Sequence, residues 1–220
     1  MFSIRMFFEK KEPAIYVSHL DLMRCFERCI RRAGIPLWYT EGFNPRPFLT
    51  FALPLSLGIT GLNESVDLRL VEDMPLAEVQ QRINACLPSG LRILSISEPV
   101  KKNTDIAASI YDIDLRSGSV NADELAAKLS GFLSQDSIVI TKLNKKKKPV
   151  ESDLRPHIKA FSVSTEDGGV KLCITLSSGC TENCNPALVL DTFASRCEIG
   201  DLEYAITRTD VLDTNGKSFR

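Results

Sequence analysis

The chain has 220 residues, enough for one large domain or for two of about 110 residues that each bury a hydrophobic core. Hydrophobic residues make up 44% and charged residues 25%, and the formal net charge is −1. This composition is that of an ordinary globular protein, and the overall charge favours neither nucleic acid nor a membrane surface. A site for an anion must therefore come from local clustering of basic side chains.

The expected location is inferred from the lack of a recognisable targeting signal and from the cysteine content. No apolar run approaches the roughly 18 residues that a membrane-spanning helix needs. Residues 1–8 lack the apolar core and the cleavage site of a signal peptide. Seven cysteines, an odd number without the spacing of a disulfide framework, indicate reduced thiols. We expect a cytoplasmic protein with no membrane partner.

The first elements are a strand and an amphipathic helix. Alternating apolar residues from Phe2 to Phe8 predict the strand. Ser18, with Asp21 three residues later, predicts the start of the helix, and Gly34 followed by Pro36 predicts its end. The residues predicted to face the core are Leu22, Cys25, Phe26, Cys29, Ile30 and Ala33.

The remainder of the first half reads as strands around a second helix. A buried strand is expected over 48–55, a turn over 58–63 and a half-exposed strand over 66–70. A helix is expected from about residue 74 until Pro88 and Gly90 stop it, with a closing strand over 91–96. Residues 99–105 have the composition of a linker.

The second half repeats this order of elements. The predicted elements are a strand over 109–115, a helix capped by Asn121, a strand over 138–141, a polar turn over 145–148, a hairpin of strands 158–164 and 170–176, a helix from Asn185 and a strand over 204–209. This half has one strand more than the simple pattern needs, so its strand pairing stays open. We predict an α+β protein of two ferredoxin-like (βαββαβ-type) halves packed side by side, residues 1–98 and 105–220.

The cysteines predict neither a metal nor a cofactor. Cys25-x3-Cys29 and Cys180-x3-Cys184 begin like the loop that binds a radical S-adenosylmethionine (SAM) iron–sulfur cluster, but Arg32 and Ala187 stand where the third ligand would fall. Cys173, Cys180, Cys184 and Cys197 could in principle bind zinc. Because no CxxC pair is present, we favour ordinary reduced cysteines over this zinc site.

Histidine 19 is the weak candidate for a catalytic residue. The sequence has no GxSxG elbow and no glycine-rich phosphate loop, so serine hydrolase and nucleotide chemistry are not indicated. His19, in the first turn of the first helix, could act as the acid or base of a metal-independent ribonuclease. The alternative, which we favour, is a partly buried imidazole bonded to local backbone.

Basic residues beside a Gly/Pro loop are the strongest functional signal. Arginines gather on the outer face of the first helix, and the loop that follows displays Phe43 and Arg46. The alternatives are a solvated helix face and a phenylalanine that pins the loop to the sheet. A second basic run occurs in the other half. The predicted RNA-binding residues are Arg24, Arg28, Arg31, Arg32, Phe43, Asn44, Arg46, Lys145, Lys147, Arg155 and His157.

Several motifs in this chain are more specific than folding requires. They are Tyr16-Val-Ser-His-Leu-Asp-Leu-Met-Arg24, Arg31-Arg-Ala-Gly-Ile-Pro36, Glu41-Gly-Phe-Asn-Pro-Arg-Pro47, Pro54-Leu-Ser-Leu-Gly58 and Asp153-Leu-Arg-Pro-His157. Together they resemble the radical-SAM-linked domain family, a family of unknown function. The resemblance implies a stand-alone companion of a radical SAM protein, in a setting of RNA or ribosome maturation.

Three functional hypotheses follow. The leading one is a non-catalytic RNA-binding accessory protein that works with a radical SAM enzyme in RNA modification or ribosome maturation, the RNA being tRNA or rRNA. The second is a protein–protein adaptor of that enzyme without RNA contact. The third is the ribonuclease that uses His19.

Overall fold

The computed structural model describes residues 1–143, 148–179 and 182–220, and within them it contains ten strands and four α-helices. The chain divides into two compact units. Unit 1 is Met1–Asp105 with Ser218–Arg220, and unit 2 is Ile106–Lys217. Both units mix helices with antiparallel strands, so the predicted α+β class is correct.

Unit 1 is a sheet of four antiparallel strands with two helices. Its sheet has the order β4-β1-β3-β2. In chain order the elements are β1 (Phe2–Lys10), α1 (His19–Arg32), β2 (Leu49–Phe51), β3 (Thr60–Leu70), α2 (Leu76–Asn84) and β4 (Leu91–Ser97).

Both ends of α1 follow from the sequence. The Ser18 hydroxyl accepts a hydrogen bond from the Asp21 backbone N–H at 3.2 Å, which satisfies one of the free donors at the helix start. Gly34 has φ +66°, a left-handed conformation that glycine adopts without strain, and the helix ends just before it. The predicted start and stop of this helix are confirmed.

The core of unit 1 forms where α1 packs on the sheet. Phe26 is fully buried, and its ring lies 5.0 Å from Phe8 and 5.5 Å from Phe51 in edge-to-face contacts. Leu22 and Ile30 are buried with it. The apolar arc predicted for α1 therefore faces the core.

Two predicted elements of unit 1 were wrong. The strand expected over 48–55 is only Leu49–Phe51, and Pro54 lacks the N–H that a ladder needs. The turn expected over 58–63 ends early, because β3 already begins at Thr60. Strand β3 pairs with β1 along most of its length, and that pairing extends it.

The C-terminal residues belong to unit 1 through Arg5. Arg5, which is 2% exposed, forms an ion pair with Asp67 (Nε to Oδ1, 2.6 Å). Its guanidinium lies 4.4 Å from the centre of the buried Phe219 ring and also donates to Asn103. The ion pair and the aromatic ring satisfy its charge inside the unit.

Unit 2 has a similar sheet with an added hairpin. The sheet order is β10-β5-β9-β8, and β6 pairs with β7 in a separate two-stranded sheet. In chain order the elements are β5 (Ile106–Arg116), α3 (Ala122–Leu133), β6 (Val139–Leu143), β7 (Pro149–Asp153), β8 (Ile158–Glu166), β9 (Gly169–Ser177), α4 (Pro186–Arg196) and β10 (Glu203–Asp213).

The hairpin accounts for the surplus strand of the second half. Strand β7 was not predicted from the sequence. A short 3-10 helix, Arg155–His157, follows it, and β8 begins at Ile158, where a strand was predicted. Asp153 fixes the hairpin's base, since its carboxylate accepts from the Ile138 N–H at 2.7 Å and from the Ser137 hydroxyl at 2.9 Å. A hydrogen bond from the Arg155 N–H at 2.9 Å, together with these two bonds, holds the pKa of Asp153 below its usual value.

Helices α3 and α4 supply the core of unit 2. Asn121 caps α3 by accepting from the Glu124 N–H at 3.0 Å, and Asn185 caps α4 in the same way, as the sequence predicts. The rings of Phe132 and Phe193, one from each helix, lie 5.5 Å apart in the core. None of the helices in the described ranges combines the length and apolar character needed to cross a membrane.

Candidate nucleic-acid interface

The outer face of α1 carries an arginine-lined groove. Four arginines, Arg24, Arg28, Arg31 and Arg32, border an open volume of about 610 Å³ together with Asp21 and Pro88. All four are exposed. Because residues three, four and seven apart share one helix face, the spacing of these arginines places their charges along the same side of α1. The groove is therefore a strip of positive charge on a protein with almost no net charge.

The four guanidinium groups do not have the same freedom. Arg32 donates to the Cys86 carbonyl oxygen at 2.6 Å and lies 3.3 Å from the Cys29 sulfur, so it fastens α1 to the end of α2. Arg24 pairs with Asp21 at 3.1 Å on the open surface, where such a pair contributes little to stability. These contacts leave Arg28 and Arg31 as the arginines best placed to contact a ligand.

A hairpin follows α1, and hydrogen bonds close its neck, residues 38–40 and 46–48. The Thr40 N–H donates to the Arg46 carbonyl at 2.8 Å, and the Phe48 N–H donates to the Trp38 carbonyl at 3.0 Å. The Arg46 N–H donates to the Thr40 hydroxyl at 3.1 Å. Arg69 of β3 lies 4.1 Å from the centre of the Phe48 ring, which anchors the neck on the sheet.

The tip of this hairpin displays an aromatic ring to solvent. Phe43 has a relative exposure of 107%, and Asn44 and Arg46 beside it are exposed as well. Gly42 has φ +127°, a conformation that a residue with a side chain would adopt only with strain. The alternative that Phe43 pins the loop to the sheet is wrong, because its ring has no packing partner among the described residues.

One contact joins the helix to the hairpin. Arg31 Nη2 lies 3.4 Å from the Tyr39 hydroxyl, which belongs to the neck. The C-terminal turn of α1 and the base of the hairpin are thus neighbours, so the first-half candidates form two adjoining features of unit 1. Tyr39 and Pro88 were not predicted from the sequence to belong to this surface. The position of Tyr39, two residues before the Gly/Pro loop, could have indicated its role.

The second-half candidates belong to unit 2 or lie outside the described residues. Lys145 and Lys147 lie outside the described residues. Arg155 donates to the Gln135 and Ile158 carbonyl oxygens at 3.1 and 3.0 Å, so its guanidinium already supports the fold of unit 2. His157 Nδ1 lies 3.4 Å from Glu182 Oε2.

His19 is half-buried at the start of α1. Its ring meets Phe51 edge to face at 5.2 Å, and its Nδ1 is buried without a hydrogen-bond partner among the described residues. The bond to local backbone that we favoured is thus not made by this nitrogen. Burial, and the positive charge of Lys10, lower the pKa of His19. A neutral imidazole at neutral pH can accept a proton, which keeps the ribonuclease hypothesis testable.

The cysteines of unit 1 pack beneath the arginines. Cys25 and Cys29 have their sulfur atoms 4.0 Å apart, and the Cys29 thiol donates to the Cys86 carbonyl at 3.1 Å. Burial and the neighbouring Cys29 raise the pKa of Cys25 to about 11. In the described residues no three His, Cys, Asp or Glu side chains converge as metal ligands. Cys180, one of the four ligands in the zinc alternative, lies outside that part of the chain.

The comparison with known proteins identifies the family. The fold and the arginine surface describe a two-unit α+β protein with a localised cationic face. Residues 3–186 match the model of the DUF2344 family, described as "Uncharacterized protein conserved in bacteria", and the chain belongs to this family. No curated protein matches the chain.

Solved structures show likeness of fold alone. One, described as "Crystal Structure of a Cbf5-Nop10-Gar1 Complex", aligns with 96% of this chain at 12% identity and a TM-score of 0.52. The chain spans about half the length of that protein (49%). Another, described as "Crystal structure of putative glycine cleavage system transcriptional repressor", aligns with 96% of this chain and 97% of its own at 12% identity, and its TM-score of 0.24 does not show a shared fold.

Proposed function

We propose that this chain is a non-catalytic, cytoplasmic RNA-binding accessory protein of a radical SAM enzyme, serving RNA modification or ribosome maturation. The observation that carries the proposal is the fully exposed Phe43 on a closed hairpin beside an arginine-lined helix face. A phenylalanine stabilises a fold when its ring is buried, and the ring of Phe43 is not. Folding therefore does not explain why a phenylalanine occupies this position.

Single-stranded RNA suits this surface chemically. Guanidinium groups bind phosphate oxygens through two parallel hydrogen bonds. An aromatic ring can stack on any of the four bases, because each base has a flat π-face. Arg28 and Arg31 supply the first kind of contact and Phe43 the second, while Arg46 and Asn44 flank the ring. Proteins that bind single strands without sequence preference stack the bases on exposed aromatic side chains. A tRNA or rRNA loop would offer such bases.

Two finer parts of the proposal rest on the fold and on sequence motifs. We infer that the two halves, 1–98 and 105–220, are each ferredoxin-like; the sheet orders β4-β1-β3-β2 and β10-β5-β9-β8, each flanked by two helices, support this. The radical SAM partner is supported by the motifs shared with the radical-SAM-linked family, which coincide with α1, the hairpin and the loop at 54–58.

The test compares arginine variants in RNA binding at several salt concentrations. Each phosphate contact on a single strand contributes about −0.7 to the slope of log K against log salt. Arg28→Gln and Arg31→Gln should each weaken binding and flatten the slope by about that amount. Arg92→Gln is the matched control, because Arg92 is exposed on β4 and does not line the groove. Unchanged affinity in the α1 variants would contradict the proposal.

A protein–protein adaptor without RNA contact is the second candidate. Three large apolar side chains are exposed near the start of α1: Tyr16 at 68%, Leu20 at 63% and Leu57 at 64%. The Gly58 N–H donates to the Ile15 carbonyl at 3.0 Å, which brings the loop of Leu57 beside Tyr16. An apolar interface would be insensitive to salt. If Leu20→Ser abolishes capture of a radical SAM protein while no RNA binds the wild-type chain, the adaptor function is supported instead.

A further inference from the structure

The two units treat the outermost strands of their sheets differently. In unit 1, side chains of α2 cover the edge of β4. The Ile93 N–H donates to Asn84 Oδ1 at 2.7 Å, and Asn84 Nδ2 donates back to the Ile93 carbonyl at 3.0 Å. Gln80 Nε2 donates to the Leu94 carbonyl at 2.9 Å. These amides take the place of a neighbouring strand, which is one way in which proteins prevent pairing at a sheet edge.

The edge of β8 in unit 2 has no comparable cover. Arg155 donates to the Ile158 carbonyl at 3.0 Å, at the very start of the strand. From Ala160 to Glu166, β8 pairs with β9 in regular register on one side. On its other side no described side chain or backbone group hydrogen-bonds to it. In an antiparallel strand, alternate residues direct both their N–H and C=O groups outward, so this edge presents a row of groups that no described residue pairs.

The side chains of β8 do not block pairing either. The strand contains no proline, and its charged residues are Lys159 near one end and Glu166 at the other. Ala160, Ser162 and Ser164 on one face are small and exposed, whereas Phe161 and Val163 on the opposite face are only half-buried. An approaching strand would cover these two apolar side chains further.

We propose that β8 is a dimerisation edge at which two copies of this chain pair antiparallel, so that their sheets join across a two-fold axis at Ser162. The ends of the strand favour this arrangement over a parallel one. Antiparallel pairing places the end of the strand that carries Lys159 in each copy beside the end that carries Glu166 in the other, whereas parallel in-register pairing would set Lys159 opposite Lys159 and Glu166 opposite Glu166.

The register centred on Ser162 is self-complementary. It sets Phe161 opposite Val163 of the second copy, twice, and an aromatic ring beside a β-branched residue is a favourable cross-strand pair. Ala160 faces Ser164, and Ser162 faces its own equivalent, so no large or like-charged side chains collide. A two-fold interface needs this kind of self-match.

The test is the mass of the full chain in solution as a function of concentration. Sedimentation equilibrium of the wild type should show a mass that rises from 24.4 kDa towards twice that value. Ser162→Lys sets two lysines against each other at the axis and should raise the dissociation constant of the dimer by about tenfold or more. Because Ser162 is exposed, this variant should melt at the wild-type temperature.

Two controls separate the edge from general effects of charge. Ser162→Thr keeps the strand uncharged and should leave dimerisation intact. Ser95→Lys adds the same charge at an exposed serine of the covered strand β4 and should also leave it intact. A wild type that stays at 24.4 kDa at every concentration, or a Ser162→Lys variant that associates as tightly as wild type, overturns the proposal. So does loss of the dimer in Ser95→Lys.

Discussion

Truncating the exposed ring at the hairpin tip, Phe43→Ala, separates a binding role from a structural one. Phe43 is 107% exposed, so its removal uncovers no buried apolar surface, and the free energy of unfolding should change by less than about 0.5 kcal/mol. For a chain of this size that corresponds to a shift in melting temperature of less than about 2 °C. Binding of single-stranded RNA should lose about 1–3 kcal/mol, or roughly 5- to 150-fold in affinity.

The assay is thermal melting together with fluorescence titration of a labelled single-stranded RNA on the same samples. The salt slope should stay unchanged, because the ring contacts no phosphate. Val100→Ala, another exposed apolar residue of unit 1 at 87%, should leave both readings at the wild-type value. A fall in melting temperature of several degrees without loss of RNA affinity would refute this prediction and show that Phe43 stabilises the fold.

Three further predictions concern the helix that carries the arginines. Ser18→Ala removes the cap of α1 and should destabilise the protein by about 1 kcal/mol in denaturant unfolding. Arg32→Gln should lower the melting temperature, since it breaks the bond to Cys86, whereas Arg28→Gln should not. The folded state lowers the pKa of His19, so the unfolded chain binds the proton more readily. The contribution of neutral His19 to the free energy of unfolding is therefore fully present above about pH 6.5 and is lost as the pH falls below that value. The melting-temperature advantage of wild type over His19→Gln should therefore shrink between pH 7.5 and 5, and a constant difference would contradict this assignment.

Local signals predicted the helices of this protein better than its strands. The caps at Ser18, Asn121 and Asn185 depend on residues within three positions, and all three form as the sequence indicates. Strand β3 begins earlier than expected and β2 is shorter, because their lengths depend on pairing with β1 and with each other. Such pairing joins residues about 60 positions apart along the chain, and no local pattern encodes it.

The sequence identified the basic residues of the candidate site but not which of them are engaged by other parts of the fold. The arginine spacing on α1 and the Gly/Pro loop were evident from the sequence, and both features occur in unit 1. The sequence did not reveal that Arg32 is engaged by Cys86 or that Arg155 supports the backbone of unit 2. Basic residues look alike in a sequence, and partners distant along the chain decide which of them are free to bind.

Ultraviolet crosslinking of the full chain to RNA in cells shows whether unit 1 binds RNA and through which residues. After digestion, mass spectrometry identifies the peptides that carry a nucleotide. We expect the crosslinks on the hairpin tip, above all on Phe43, and on the outer face of α1. Crosslinks confined to unit 2, or none at all from a chain that still captures a protein partner, would contradict this expectation.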